Sequence, residues 1–388
     1  MASRRRLCLM LIGLAAVFAV SIVVNLVVNP WGAWPINLIP AKYRVIVQER
    51  VATPYLLRTA RPNTILLGSS RVRFGMKIEQ GLKDGIQNAA LCGSHLPEIA
   101  KEVDLALRNP NLKRIIWGLE FYTFNSRDNV CSTETCARLD GDLGLKLTDN
   151  VLSEDTLAAS YHMAMRAWKE KTSADAAVPV PWPDSYICYS FAHPHPPTLA
   201  GMDEVHRFRE VANLPEYRYF DYSARQRQEF LQIVDRIRDA HVELLAFIPP
   251  LTEFELEMLR QTGRWADFED WKRFLAQHIN YVDFSGYNRI SHTDRLFIDA
   301  WHMEPAVGAT IMRRLLGDPP PRCPDAAIVL DSALTVTADN VDQIMALQER
   351  RKREATAEPN AYSRMVAAAI IKRYGNNFTP APALSASR

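Results

Sequence analysis

An uncharged, almost wholly apolar stretch runs from Leu7 to Val28, directly behind Arg4, Arg5 and Arg6. Only Ser21 and Asn25 dilute it. About 20 apolar residues suffice for a helix to cross a bilayer. The arginines are expected on the cytoplasmic side, which puts the remaining chain on the other side. A cleaved signal peptide is the rival reading. Its apolar region would run to about 7–15 residues before a small-residue cleavage site. Here the run stays apolar past Ala19, so an uncleaved anchor is expected. No other stretch in the sequence is long and apolar enough to span.

Residues 29–61 read as a juxtamembrane linker, with Pro30, Pro35 and Pro40 beside Trp31 and Trp34. Such rings suit the interface between lipid and water. Regular alternation of short apolar blocks and helical spacing then begins. Thr64–Gly68, Gly85–Asn88, Lys113–Leu119, Val242–Ile248 and Tyr281–Phe284 read as buried strands. Pro97–Arg108, Glu229–Asp239, Phe254–Leu259, Phe268–His278 and Pro305–Leu316 have the spacing of amphipathic helices. Alternating strands and helices predict an α/β fold in three layers, with a mostly parallel sheet covered on both faces. Residues 125–225 interrupt the alternation. They are rich in proline and aromatic residues, as in 179–183 and 193–197, and are expected to form an inserted cap. Asp318-Pro-Pro-Pro321 marks a boundary. Beyond it, Ala338–Ala355 and Ser363–Tyr374 predict a C-terminal helical extension over 318–388, and 379–388 reads as a disordered tail. The domain reading is therefore an anchor at 1–28, a linker at 29–61, a main domain at 62–317 and the extension.

The 388 residues can bury one large core or two modest ones. A net charge of +2 gives no reason to expect a nucleic-acid partner. Six cysteines fit an extracytoplasmic placement. Cys131 and Cys136 enclose a short polar loop and are a candidate disulfide; Cys188 and Cys323 are a weaker second pair, and free thiols throughout are the alternative. No spacing matches a zinc site.

Two distant segments carry candidate chemistry. Gly68-Ser69-Ser70-Arg71 follows the first strand, at the end of a parallel sheet where ligands bind. A serine on that turn exposes its hydroxyl, and its own amide can stabilise an oxyanion if a helix begins there. The bland reading is that both serines cap that helix. Asp299-Ala-Trp-His302 sets a carboxylate three residues before an imidazole, so on a helical turn both share a face. Together the segments supply a hydroxyl, a base and a carboxylate to orient the base. Between them, Gly93 in Asn88-Ala-Ala-Leu-Cys-Gly93 can bring a bare amide close to a substrate oxygen, while Asn88 either fixes that loop or points into the site. His193 and His195 lie in a proline-rich loop. His206, His241, His278 and His292 have no partner at useful spacing.

In these residues the chain resembles the SGNH (GDSL-like) hydrolase superfamily. It is most similar to the membrane-anchored bacterial branch of DltD-like and alginate-acetylation-type proteins. Gly68-Ser-Ser-Arg71 resembles the first block, Asn88–Gly93 the second and Asp299-Ala-Trp-His302 the last. The resemblance covers about Arg61 to Leu316. It implies a flavodoxin-like sheet, Ser70 rather than Ser69 as nucleophile, His302 as base and Asp299 as its partner. It also implies an oxyanion hole built from the amides of Ser70 and Gly93. The third block departs from the pattern: Trp117-Gly-Leu-Glu-Phe-Tyr-Thr-Phe-Asn125 lacks the usual glycine and asparagine; Asn125, at the wrong spacing for a direct match, is kept with Asn88 as a candidate oxyanion donor.

The expected activity is that of a periplasm-facing serine esterase or O-acyltransferase of the bacterial inner membrane. It would act on acyl groups, acetyl above all, of a cell-envelope or secreted glycan, with no metal or organic cofactor. The expected partners are an acylated glycan or acyl donor and a multispanning membrane acyltransferase. A catalytically silent glycan-binding or assembly subunit beside such an acyltransferase is the alternative.

Overall fold

The computed structural model describes residues 2–34, 38–40, 43–44, 48–76, 85–127, 131, 133–140, 151–172 and 217–380. The cap motifs at 179–183 and 193–197, together with Cys188, His193, His195 and His206, lie outside them.

The strands are β1 (Thr64–Leu67), β2 (Ile86–Asn88), β3 (Arg114–Gly118), β4 (Glu243–Ile248), β5 (Tyr281–Asp283) and β6 (Leu334–Val336). They form one sheet in the order β2-β1-β3-β4-β5-β6. All neighbours are parallel except β5 and β6. The first five strands thus follow the doubly wound order 2-1-3-4-5, whose direction of winding reverses between β1 and β3.

The side-chain alternation of each strand explains the two covered faces. Ile65, Leu67, Ile115, Trp117, Ala246 and Ile248 join one buried cluster; Leu66, Ile116 and Phe247 join another. Successive residues of a strand point to opposite faces, so strands apolar at every position need cover on both. Helices α4 (Leu96–Ala106), α7 (Ala224–Asp239), α8 (Glu253–Gln261) and α9 (Trp265–His278) supply it on the first face. Helices α3 (Ser70–Gly75), α10 (Pro305–Leu316) and α11 (Pro324–Asp331) supply it on the second.

The C-terminal extension is more than helical. It adds the antiparallel edge strand β6, then α12 (Val341–Ala355) and α13 (Ala361–Tyr374). Gln348 of α12 donates to Asp283 of β5 at 2.8 Å and accepts from Lys272 of α9 at 2.8 Å. Lys272 and Asp283 are themselves a fully buried ion pair at 2.9 Å. Val336, Val341, Met345, Tyr362 and Val366 of the extension pack in the same buried cluster as the strands. The short Leu334–Val336 strand was hidden because three residues carry too little periodicity to register.

The linker also contains more order than its prolines suggest. A helix α2 (Glu49–Thr59) carries Pro54 inside it and buries Ala52, Tyr55, Leu56 and Leu57. The N-terminal helix α1 (Ala2–Val28) is, over Arg4–Val28, long and apolar enough to cross a membrane. Its end is docked on the body. Asn25 donates to the Val151 carbonyl at 2.8 Å and accepts from Ser160 at 2.9 Å. Ser160 belongs to α6 (Glu154–Thr172), and Trp31 donates to Thr156 of the same helix at 2.9 Å. A further helix, α5 (Thr133–Asp140), starts inside the short cysteine loop. Cys131 is bonded to Cys136. Cys323 is also disulfide-bonded, and Cys8 and Cys92 are free.

Candidate active site

β1 ends at Leu67, and the chain turns at once into α3. Gly68 makes that turn with φ +143°. A Cβ there would meet Val72 Cγ2 at 2.5 Å and the Gly118 carbonyl oxygen at 3.1 Å, so the close approach of β1, α3 and β3 excludes any side chain. The two serines then part ways. Ser69 is the N-cap of α3: its hydroxyl accepts from the Arg71 amide at 3.1 Å and bonds Oε1 of Glu120, the second residue past β3. It is buried. Ser70, one residue on, is half-exposed.

Ser70 Oγ lies 2.8 Å from His302 Nε2. His302 Nδ1 lies 2.7 Å from Asp299 Oδ2 and 2.9 Å from Oδ1. An ionised carboxylate only accepts, so the tautomer that fits has its proton on Nδ1. Nε2 is then the acceptor for the Ser70 hydroxyl. Asp299 and His302 do not sit on a helical turn, as their spacing suggested. Their loop is closed by a bridge between Phe297 and Met303, with the Ile298 amide donating to the His302 carbonyl at 2.8 Å. Asp299 Oδ1 accepts from the amides of Trp301 and His302, both at 2.8 Å. The pair thus lies in a turn ahead of α10, and the Asp299 side chain rather than helical spacing sets the juxtaposition. Burial alone would raise the Asp299 carboxyl. The His302 bond and charge, with the two amides, outweigh it and hold Asp299 below its ordinary value.

Long-range packing brings the loop to the serine. A Cβ on Gly308 of α10 would fall 2.1 Å from the Gly75 carbonyl oxygen, so α10 lies directly on the end of α3. Thr252 caps α8 by accepting from the Glu255 amide at 3.2 Å, and donates its hydroxyl to the Ala300 carbonyl at 2.7 Å. The exposed Phe74 ring meets the His302 ring edge-on at 5.3 Å.

Behind the serines lies a buried charge network that the sequence reading did not single out. Arg71 Nη2 donates to Glu255 Oε2 at 2.7 Å, and Tyr217 donates to Glu255 Oε1 at 2.6 Å. Arg71 Nε is 3.0 Å from Glu120 Oε2, close enough for an ion pair although the angle does not suit a hydrogen bond. The guanidinium also stands 6.0 Å from the Trp301 ring centre, on the loop that carries His302. Burial alone would lower the Arg71 pKa; Glu255 and Glu120 more than reverse this and leave it raised. Burial pushes Glu120 up, and Arg71 and the Ser69 hydroxyl only partly offset it. The one available signal was Glu120 itself, a carboxylate just past a wholly apolar strand.

The other candidates have different placements. Asn88 donates to the Met76 carbonyl at 2.9 Å and accepts from the Ala90 amide at 3.1 Å, so it fixes its loop. Asn125 is bridged to Tyr222 and accepts from the Asp221 amide at 3.0 Å, tying the chain after β3 to residues 221–222. Gly93 sits in a turn at φ +61° with open space where a side chain would be. That turn is stapled to the serine turn: the Leu91 amide at 3.0 Å and the Ser94 hydroxyl at 3.1 Å both donate to the Gly68 carbonyl. His292, which showed no partner in sequence, pairs with Glu253 at 3.1 Å.

The assembled groups sit at the carboxyl ends of β1 and β3, where the sheet order reverses. They can perform nucleophilic acyl chemistry: a hydroxyl on a ring acceptor, and a ring oriented by an anion. No group of three or more potential metal-ligating side chains occurs among the described residues. No protein-family model matches the chain, and no curated protein is detectably similar to it.

Proposed function

We propose that this chain is a membrane-anchored serine esterase or O-acyltransferase of SGNH type, acting on small acyl groups of a cell-envelope or secreted glycan. The observation that carries the reading is the 2.8 Å contact between Ser70 Oγ and His302 Nε2, across 232 residues of sequence. Chance seldom delivers a hydroxyl, an imidazole and a carboxylate in line from two loops at a sheet's switch point. In this reading His302 takes the Ser70 proton as Oγ attacks the ester carbonyl, and Asp299 stabilises the imidazolium that forms. The amides of Ser70 and Gly93 receive the oxyanion. The intermediate collapses as the ester C–O bond breaks, and the alcohol leaves with the proton from His302. Water or a sugar hydroxyl, giving its proton to His302, then takes the acyl group, and Ser70 recovers that proton as its ester bond breaks. The arginines before α1 support the periplasmic placement. The glycan substrate and a multispanning acyltransferase partner follow from the resemblance alone.

One observation favours the alternative of a silent glycan-binding or assembly subunit. Asn88 and Asn125, the side chains closest to oxyanion donors in the sequence, both serve loop structure. A serine-directed fluorophosphonate separates the two readings. Labelling of the wild type, lost in Ser70→Ala, supports the enzyme; an unlabelled wild type supports the subunit. Turnover of an activated acetyl ester should fall by about 10³-fold or more in Ser70→Ala and in His302→Ala. Equal rates in wild type and Ser70→Ala would end the proposal.

A further inference from the structure

The helix that clamps the anchor carries a second apolar stripe. On α6, the buried side faces the anchor and its flank through Thr156, Ala159, Ser160 and Met163. Next to it, Leu157, Tyr161, Ala164 and Trp168 recur at i, i+4, i+7 and i+11, the spacing of one helix face. This stripe is open: Tyr161 is 61% and Trp168 60% exposed. Arg166 lies on the opposite side.

The stripe is continuous with the anchor. Val24 and Val28 of α1 line an open groove together with Leu157, Ala158, Tyr161 and Ala164, with Glu154, Ser160 and His162 at its polar positions. The apolar side chains of α1 and of the α6 stripe therefore meet across one groove. Asn25, a polar residue in the last turn of the span, has its amide satisfied by Val151 and Ser160. An asparagine at that depth would be costly in hydrocarbon without such partners, so α6 belongs at the level where the span leaves the membrane. An exposed tyrosine and tryptophan at that level suit the boundary between headgroups and acyl chains.

We propose that α6 is a second membrane contact: its Leu157–Tyr161–Trp168 stripe is immersed in the phospholipid interface beside α1. The inference rests on α1 spanning the bilayer and does not depend on the activity at Ser70. The contact, with the buried bonds from Asn25 and Trp31, holds the domain at a fixed attitude to the membrane.

The test uses the full chain in phosphatidylcholine nanodiscs, with and without bromine at positions 6 and 7 of the acyl chain. Subtracting the emission of Trp168→Phe from that of the wild type isolates Trp168. Its contribution should fall about two-fold or more in brominated discs and resist iodide, as an interfacial ring does. A tryptophan moved to the opposite side, in Arg166→Trp/Trp168→Phe, should behave in the reverse way. A Trp168 signal that bromolipid spares and iodide quenches would overturn the inference, whether the stripe faces water or awaits a protein. Equal quenching of both positions by bromolipid would overturn it too. Failure of the chain to enter discs at all would overturn the spanning reading of α1, and this inference with it.

Discussion

Removing Arg71 exposes how the site is held. The side chain is buried and carries the cationic charge between Glu120 and Glu255. Arg71→Met keeps much of the volume and removes the charge. Two carboxylates are then left in a low-dielectric pocket without their counter-ion. Breaking a buried ion pair from one side costs about 3–5 kcal/mol. That is a large share of the roughly 5–15 kcal/mol that keeps a typical domain folded. The loss should depend on pH, and its sign is fixed. Glu120 already has a folded pKa above its ordinary value because it is buried. Without Arg71 that value rises further, so in the variant the folded state binds a proton that the unfolded state releases. The variant is therefore least handicapped at acidic pH and loses stability as pH rises through the range above the ordinary carboxylate value. Chemical unfolding of the full chain in detergent at pH 5 and pH 8 measures both effects. Adding Glu120→Gln and Glu255→Gln removes the stranded charges and should recover part of the loss. A deficit below about 1 kcal/mol, or the same deficit at both pH values, would refute the reasoning, because a surface-like pair behaves that way.

Two further perturbations test the serine turn and the carboxylate. Gly68→Ala forces a Cβ into Val72 and a positive φ onto a residue that disfavours it, so unfolding free energy should drop by about 2–4 kcal/mol and ester turnover should fall; wild-type melting and activity would contradict the packing argument. Asp299→Asn replaces an anion that accepts from His302 Nδ1 with a side chain that also donates, and turnover should fall on the order of 10⁴-fold. The Asp299 interactions stabilise the fold above its ordinary carboxylate range and are lost only as pH falls through its lowered folded value. The stability gap between wild type and Asp299→Asn should thus be flat from pH 5 to pH 8 and close in stronger acid, and a gap that opens in acid would reverse the assignment.

The framework was legible because fully apolar strands and spaced helices leave a strong local signature. Ile115-Ile116-Trp117 could only be a strand covered twice, and Pro305–Leu316 began with a proline and ended at a glycine, as helices do. Three things were not legible, each for a physical reason. β6 is three residues long and owes its conformation to β5. The helix α2 survives Pro54 because burial of Tyr55, Leu56 and Leu57 outweighs the lost hydrogen bond. The 299–302 segment reads as a turn, but its closure does not: that depends on the Phe297–Met303 bridge and on Asp299 satisfying two amides from its own side chain. At the site, the order of Ser70, Asp299 and His302 could be read, but the choice between Ser69 and Ser70 could not be made from the turn itself. It depends on Glu120, 51 residues away, which draws one hydroxyl inward and leaves the other to His302.

The two carboxylates nearest the serines have been driven in opposite directions. Asp299 is met by two amides and an imidazole N–H, so it stays charged where an isolated aspartate would begin to protonate. Glu120 is met by burial, one cation and a hydroxyl, so its charge is costly to keep. Groups pushed apart in this way divide the work of a site. The easily ionised one can orient a base and stabilise its conjugate acid without itself taking the proton. The reluctant one is poorly suited to that task and instead ties the N-cap of α3 to the end of β3. Its charge is tolerated because Arg71 stands beside it, and Arg71 in turn stands against Trp301 and Glu255. A single buried cation thereby links the turn that holds the hydroxyl, the strand end beside it and the loop that holds the imidazole. The 2.8 Å contact between Ser70 and His302 joins two of the elements that Arg71 touches.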